Sequence, residues 1–188
     1  GKSIVLTGRN GSGKTTLAKS VAIVALVGSQ FGVAPCEKAQ MPPLETIRCE
    51  LNVPDTNERD SLFEAEGRRC LELVNEIGAK PGAHHLCVFD ELFSGTNADE
   101  ALDAAAGVLS HINDNFSVRF LVTTHMHALG TSLGTSVSSM AMEVEKDRPT
   151  HRIVQGVTDS SGARKTLERI GFTQQQLGAQ RPLSARPE

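Results

Sequence analysis

Apolar positions recur along this chain in two rhythms, and each change of rhythm marks an element. Ser3 to Thr7, His85 to Asp90 and Phe120 to Thr123 are short, nearly unbroken apolar runs, the pattern of strands covered on both faces. Elsewhere the spacing is helical. Residues from about Lys14 to Gly28 predict one helix, with Gly28 as its C-terminal stop. Ser61 to about Ala79 predicts a second, in which Phe63, Cys70, Leu73, Val74 and Ile77 share a face and Lys80-Pro81-Gly82 ends the pattern. A third is predicted from about Asn97 to Asn113, with Leu102, Val108, Leu109 and Ile112 inward. Between Ser29 and Asp60 no period is sustained, and Pro35, Pro42, Pro43 and Pro54 interrupt the chain. A loop of that length inside a compact domain is usually functional.

The later part changes character. Met140, Met142 and Val144 alternate with other residues, Arg148-Pro149 predicts a turn, and Arg152 to Val157 reads as a returning strand. Short helices are predicted from Gly162 to Ile170 and from Thr173, and the tail 181–188, with two prolines, is expected to be disordered. Strands alternating with helices imply an α/β fold of three layers, with a mainly parallel core sheet and a late antiparallel hairpin. Residues 1–180 are expected to form one domain. Its upstream part is expected to be missing, because the chain opens on Gly1 just before its first strand.

Composition narrows the possibilities. A length of 188 residues suits one well-buried domain, and 39% hydrophobic with 22% charged residues is ordinary for a globular protein. Seven Phe with no Trp or Tyr argue against a stacking surface for single-stranded nucleic acid. A net charge of −3 argues against a generally DNA-coating surface. Cys36, Cys49, Cys70 and Cys87 are scattered without a C-x-x-C pair, so free thiols in a reducing, intracellular compartment (cytoplasm or nucleus) are expected. The longest apolar run, Val21 to Val27, is too short to span a bilayer.

Candidate chemistry enters directly after the first strand. Gly8-Arg9-Asn10-Gly11-Ser12-Gly13-Lys14-Thr15 fits G-x-x-x-x-G-K-[ST], with a strand before it and a helix after it. Its glycines let backbone N–H groups converge on the phosphates of a nucleoside triphosphate, ATP by expectation. The helix start favours the same anion. Gly8, Asn10, Gly11, Ser12, Gly13, Lys14, Thr15 and Thr16 are the expected contacts, with Lys14 on the β and γ phosphates and the Thr15 hydroxyl on Mg²⁺. Asp90, ending a buried strand, is the second candidate for Mg²⁺, and Glu91 is placed to orient and deprotonate an attacking water. His125, ending the next strand, can donate a hydrogen bond to the γ-phosphate. His127 lacks a third ligand for a metal site, and His84, His85, His111 and His151 are expected at the surface.

The order of these motifs resembles the ATPase domain of the MutS mismatch-repair family, within the ABC-type P-loop ATPases. Gln30-Phe31-Gly32-Val33-Ala34-Pro35 is similar to the family's Gln-x-Gly-x-x-Val-Pro-Ala stretch, and Ser61-Leu62-Phe63-Glu64-Ala65-Glu66 to its Ser-Thr-Phe-x-x-Glu signature. Asp90-Glu91-Leu92-Phe93-Ser94-Gly95-Thr96 resembles its Asp-Glu-Leu-Gly-x-Gly-Thr run, and Thr123-Thr124-His125-Met126-His127-Ala128-Leu129 its Thr-His-x-His-x-Leu. The resemblance implies a homo- or heterodimer of ATPase subunits around two ATP molecules, in which Ser61 contacts the partner's ATP in trans. It also implies that Asn10 helps place the γ-phosphate or its attacking water, and that Gly95-Thr96-Asn97 lies at the dimer seam. DNA would be engaged through domains outside this chain, in mismatch repair or recombination. Arg9, Gly11 and Ser12 depart from the family's Pro, Met and Gly, Phe93-Ser94 from its Gly-Arg, and Leu62 from its Thr. The adenine-stacking aromatic that the family supplies upstream is absent. The competing reading is a nucleotide-gated interaction module with little hydrolysis. A transporter or chromosome-structure ATPase would need a Leu-Ser-Gly-Gly-Gln run before the acidic strand, and the chain has none.

Overall fold

A computed structural model describes residues 1–51, 62–145, 148–157, 167 and 170–173. Residues 1–158 form one compact unit and 159–188 a second. In the second the Phe172 N–H donates to the Leu167 carbonyl at 3.0 Å. The helices predicted from Gly162 and Thr173 and the tail 181–188 otherwise lie outside the described residues.

The first unit runs β1 (Ser3–Thr7), α1 (Lys14–Phe31), β2 (Thr46–Glu50), α2 (Leu62–Gly78), β3 (His85–Asp90), α3 (Ala98–Asn115), β4 (Val118–Thr124), α4 (Leu129–Ser132), β5 (Val137–Glu145) and β6 (Arg148–Gln155). The strands make one six-stranded sheet in the order β2-β3-β4-β1-β5-β6. Five are parallel, and β6 closes the edge antiparallel to β5. The expected α/β class, mainly parallel sheet and late antiparallel pair are all present.

The unbroken apolar runs follow from burial on two faces. Val5, Cys87, Phe89, Phe120 and Val122 join the core beneath α2, α3 and α4, whereas Leu6, Val88 and Leu121 join Ala18 and Leu17 of α1 in a second cluster. Alternate residues of each strand thus enter opposite cores. Cys70 and Cys87 are buried and free, and burial pushes both thiols up to about 12. No helix among the described residues is long and apolar enough to cross a membrane.

Four expectations are corrected. The stretch read as loop from Ser29 to Asp60 contains β2, paired in parallel with β3 from Thr46↔His85 to Glu50↔Phe89. α1 does not stop at Gly28. It continues to Phe31, and Gly32 (φ +69°) supplies the left-handed cap, donating its N–H to the Gly28 carbonyl. Arg148-Pro149 is not the turn but the start of β6, where proline is tolerated on an edge strand. His85 is buried at 2% exposure, its Nδ1 without a hydrogen-bond partner, rather than at the surface.

Candidate functional site

The parallel register decides what meets what. Thr7 of β1 lies beside Thr124 of β4, and Thr123 of β4 lies beside Asp90 of β3. The residues after each strand, Gly8, His125 and Glu91, therefore emerge at one edge, outside the carboxyl ends of adjacent parallel strands.

The turn after β1 is built by its glycines. Gly11 has φ +77° and Gly13, capping α1, has φ +98°, conformations that cost an L side chain energy. The Ser12 N–H donates to the Arg9 carbonyl at 3.1 Å, tightening the loop. Gly8 is needed for space: a Cβ there would meet Ser12 Oγ at 2.9 Å and Met142 Cβ at 3.0 Å. Gly8→Ala is accordingly expected to destabilise the fold by about 1–3 kcal/mol through overpacking, checked as a lower denaturant midpoint with an unchanged slope.

Lys14, only 5% exposed, curls into this loop. Its Nζ donates to the Gly8 carbonyl at 2.8 Å and the Arg9 carbonyl at 3.3 Å, and lies 3.9 Å from Glu91 Oε1. Burial holds its pKa below the ordinary lysine value, opposed by the charges of Glu91 and Asp90. Thr15, Thr16 and Asn10 are exposed on the rim. Ser12 Oγ is buried without a hydrogen-bond partner. A buried ammonium, an orphaned hydroxyl and glycine backbone in one loop are groups that can pair with a phosphate chain.

Asp90 is 6% exposed and accepts a hydrogen bond from Thr123 Oγ1, which fixes its carboxylate. The chain then turns sharply. Glu91 has φ +57° and Phe93 has φ +59°, both left-handed conformations that non-glycine residues rarely adopt. The Glu91 N–H is held by the Thr123 carbonyl at 2.9 Å, while its side chain stays 26% exposed. Thr124 Oγ1 accepts the Met126 N–H at 2.9 Å and shapes the turn that exposes His125. His125 and Glu91 line one cavity of about 80 Å³ together with Ser94, Thr96 and Thr124. Asn97 caps α3, its Oδ1 accepting the Glu100 N–H at 3.0 Å.

The structure thus brings Gly8, Gly13, Lys14, Asp90 and Glu91 to one edge, with His125 beside Glu91. Ser61 lies outside the described residues. No group of three or more His, Cys, Asp or Glu that could hold a metal ion occurs among the described residues. Such a group is not needed where one hydroxyl and one carboxylate share a cation with phosphate oxygens.

One contact escaped the sequence reading. Between Met142↔Ile153 and Val144↔Pro149 the ladder slips, so that Thr150, His151 and Arg152 stand opposite Glu143. His151, at φ +60°, is aimed by this bulge at the loop, its Nδ1 3.3 Å from the Ser12 carbonyl. It is exposed, as expected of it, yet it buttresses the glycine turn. Bulge placement depends on strand register, for which the local sequence carries no signal.

Residues 4–170 match the family model described as MutS domain V. The chain is 27% identical over 176 residues to an endonuclease MutS2 of Shouchella clausii, covering 91% of this chain and 22% of that protein. It is 27% identical over 179 residues to an endonuclease MutS2 of Thermus thermophilus, covering 93% and 23%. Against a DNA mismatch repair protein MutS of Haloquadratum walsbyi it is 25% identical over 173 residues, covering 86% and 18%. The chain thus spans about a fifth of the length of these relatives.

Proposed function

This chain belongs to the MutS family, and we propose that it binds and hydrolyses ATP as a P-loop, ABC-type module, dimerising around the nucleotide to switch a DNA-handling protein. One juxtaposition carries the reading: the buried Lys14 ammonium lies in the glycine turn 3.9 Å from the Glu91 carboxylate, beside Asp90. That is a phosphate-binding charge, a general base and a metal-seeking carboxylate at one edge of the sheet.

In this reading the N–H groups of the Gly8–Lys14 turn and the start of α1 receive the phosphates. Lys14 exchanges its carbonyl partners for phosphate oxygens. Thr15 and Asp90 hold Mg²⁺, which when bound offsets phosphate charge. Glu91 accepts a proton from the attacking water, and the exposed His125 donates to the terminal phosphate. Ser61 serves a partner's nucleotide in trans. Because the relatives are named for mismatch repair and as endonucleases, the motion is proposed to serve DNA repair or recombination through parts beyond this fifth of their length.

The test is ATP titration, phosphate release and sedimentation on one preparation. Saturable ATP binding, Mg²⁺-dependent hydrolysis and an ATP-driven shift from monomer to dimer are expected. Absence of binding at about 1 mM ATP would reject the proposal, since a site that weak gains under about 4 kcal/mol.

A further inference from the structure

The acidic turn after β3 is gripped from behind by the first turns of α2. Leu62 abuts Gly95 so closely that a Cβ on the glycine would meet three Leu62 side-chain atoms at 3.0 Å. The Phe63 and Phe93 rings lie 5.2 Å apart between centroids, tilted by 46°. Glu66, one helical turn further on and nine-tenths buried, accepts a hydrogen bond from the Phe93 backbone N–H. Its Oε2 has no hydrogen-bond partner. It faces a narrow cleft shared with Glu50, Arg69 and Asp90.

A buried carboxylate without a full set of partners is costly. Burial pushes the Glu66 carboxyl above its ordinary range, with Arg69 and the Phe93 N–H opposing. A helix needing only an apolar anchor would carry Leu or Met there. The position of Phe93 explains the carboxylate. Phe93 and Glu91 both sit at left-handed φ, a conformation that persists only when surrounding contacts over-determine it. The Phe93 N–H lies inside that turn, where β3 no longer supplies a ladder partner, and Glu66 supplies one.

We propose that Glu66 is a positioning residue for ATP hydrolysis: through the Phe93 N–H it locks the strained turn that presents Glu91, and so couples α2 to the catalytic carboxylate. This rests on the hydrolytic reading above. Glu66 does not touch nucleotide. Its loss should change how Glu91 is aimed and leave the phosphate loop as it is.

The experiment compares Glu66→Gln and Glu66→Leu with wild type, reading Phe93 amide hydrogen exchange, ATP affinity and turnover. Gln keeps a carbonyl oxygen for the Phe93 N–H, and Leu does not. In Glu66→Leu the Phe93 amide is expected to exchange at least about tenfold faster. Turnover should fall about ten- to hundredfold while the ATP Kd stays within about threefold. Glu66→Gln should restore both readouts to near wild type. The proposal is overturned if the Phe93 amide stays protected in the Leu variant, if Gln behaves like Leu, or if affinity falls in step with turnover. Should the Leu variant not fold, Gly95→Ala, whose new methyl would prise the turn off Leu62, must give the same split of lost turnover with kept affinity. If wild type itself binds no ATP, the hydrolytic reading fails, and Phe93 exchange still decides whether Glu66 holds the turn.

Discussion

Glu91→Gln is expected to lower steady-state ATP hydrolysis about 10²–10³-fold, the usual contribution of a positioned general base, while leaving ATP bound at least as tightly. The replacement preserves shape and cannot accept the water's proton. Its setting argues for chemistry over structure. Glu91 occupies a left-handed backbone conformation that a buried scaffold residue would avoid, and its side chain keeps 26% exposure, enough to meet a water. Removing its charge also removes a negative group 3.9 Å from Lys14, which frees the ammonium for phosphate and weakens repulsion of an anion. ATP should therefore accumulate on the variant, and the dimer it bridges should persist. Phosphate release alongside equilibrium ATP titration checks both halves. Unchanged turnover would remove Glu91 from the mechanism.

The parts of this site that were legible in the sequence are those whose chemistry and geometry are both local. The glycine turn must follow a strand and open a helix, so eight consecutive residues specify it. Asp90 and Glu91 end an apolar run that could only be a doubly covered strand, as Cys87, Val88 and Phe89 at 0% exposure confirm. β2 was hidden for the opposite reason. It is an edge strand whose Arg48 and Glu50 pair with each other and with Glu72, Glu76 and Arg69, so its residues carry no apolar run. Gly28 misled because glycine permits a helix stop without imposing one. The chain remains helical to Phe31, with Met41 lying over Gly28, and Gly32 caps it instead.

The contacts that refine the site are all long-range. Thr123 fixes Asp90 across two strands, His151 reaches Ser12 through a bulge, and Glu66 reaches Phe93 from a separate helix. Each depends on register or packing between segments, and composition and period do not encode these. The signature-like stretch did contain Glu66, but nothing in its spacing said which backbone group it would meet.

The second large effect concerns Lys14, where folding and binding are expected to move in opposite directions. Its ammonium is 5% exposed, and burial lowers its pKa despite Glu91 and Asp90. The folded chain therefore releases this proton more readily than the unfolded chain. Between the folded and unfolded pKa values the unfolded state binds more protons, so stability from this group rises with pH there and is lost as pH falls. At neutral pH the buried charge is a cost to the fold, partly offset by the Gly8 and Arg9 carbonyls. Lys14→Met keeps the stem and discards the charge, so the ligand-free protein should unfold at the same temperature or higher. Binding should suffer: losing charge-assisted bonds to phosphate, at about 1.5–3 kcal/mol, weakens ATP about 10- to 100-fold. Nucleotide at 100 times the wild-type Kd raises wild-type stability by about 2.7 kcal/mol, and about 0.4 kcal/mol remains if Kd rises 100-fold. For a chain of this size, that turns an ATP-induced Tm rise of about 5–10 °C into one of about 1 °C. Thermal unfolding with and without ATP and Mg²⁺ separates the two effects. A variant that loses ligand-free stability but keeps the ATP-induced rise would make Lys14 a structural strut of the loop and leave the phosphates to other groups.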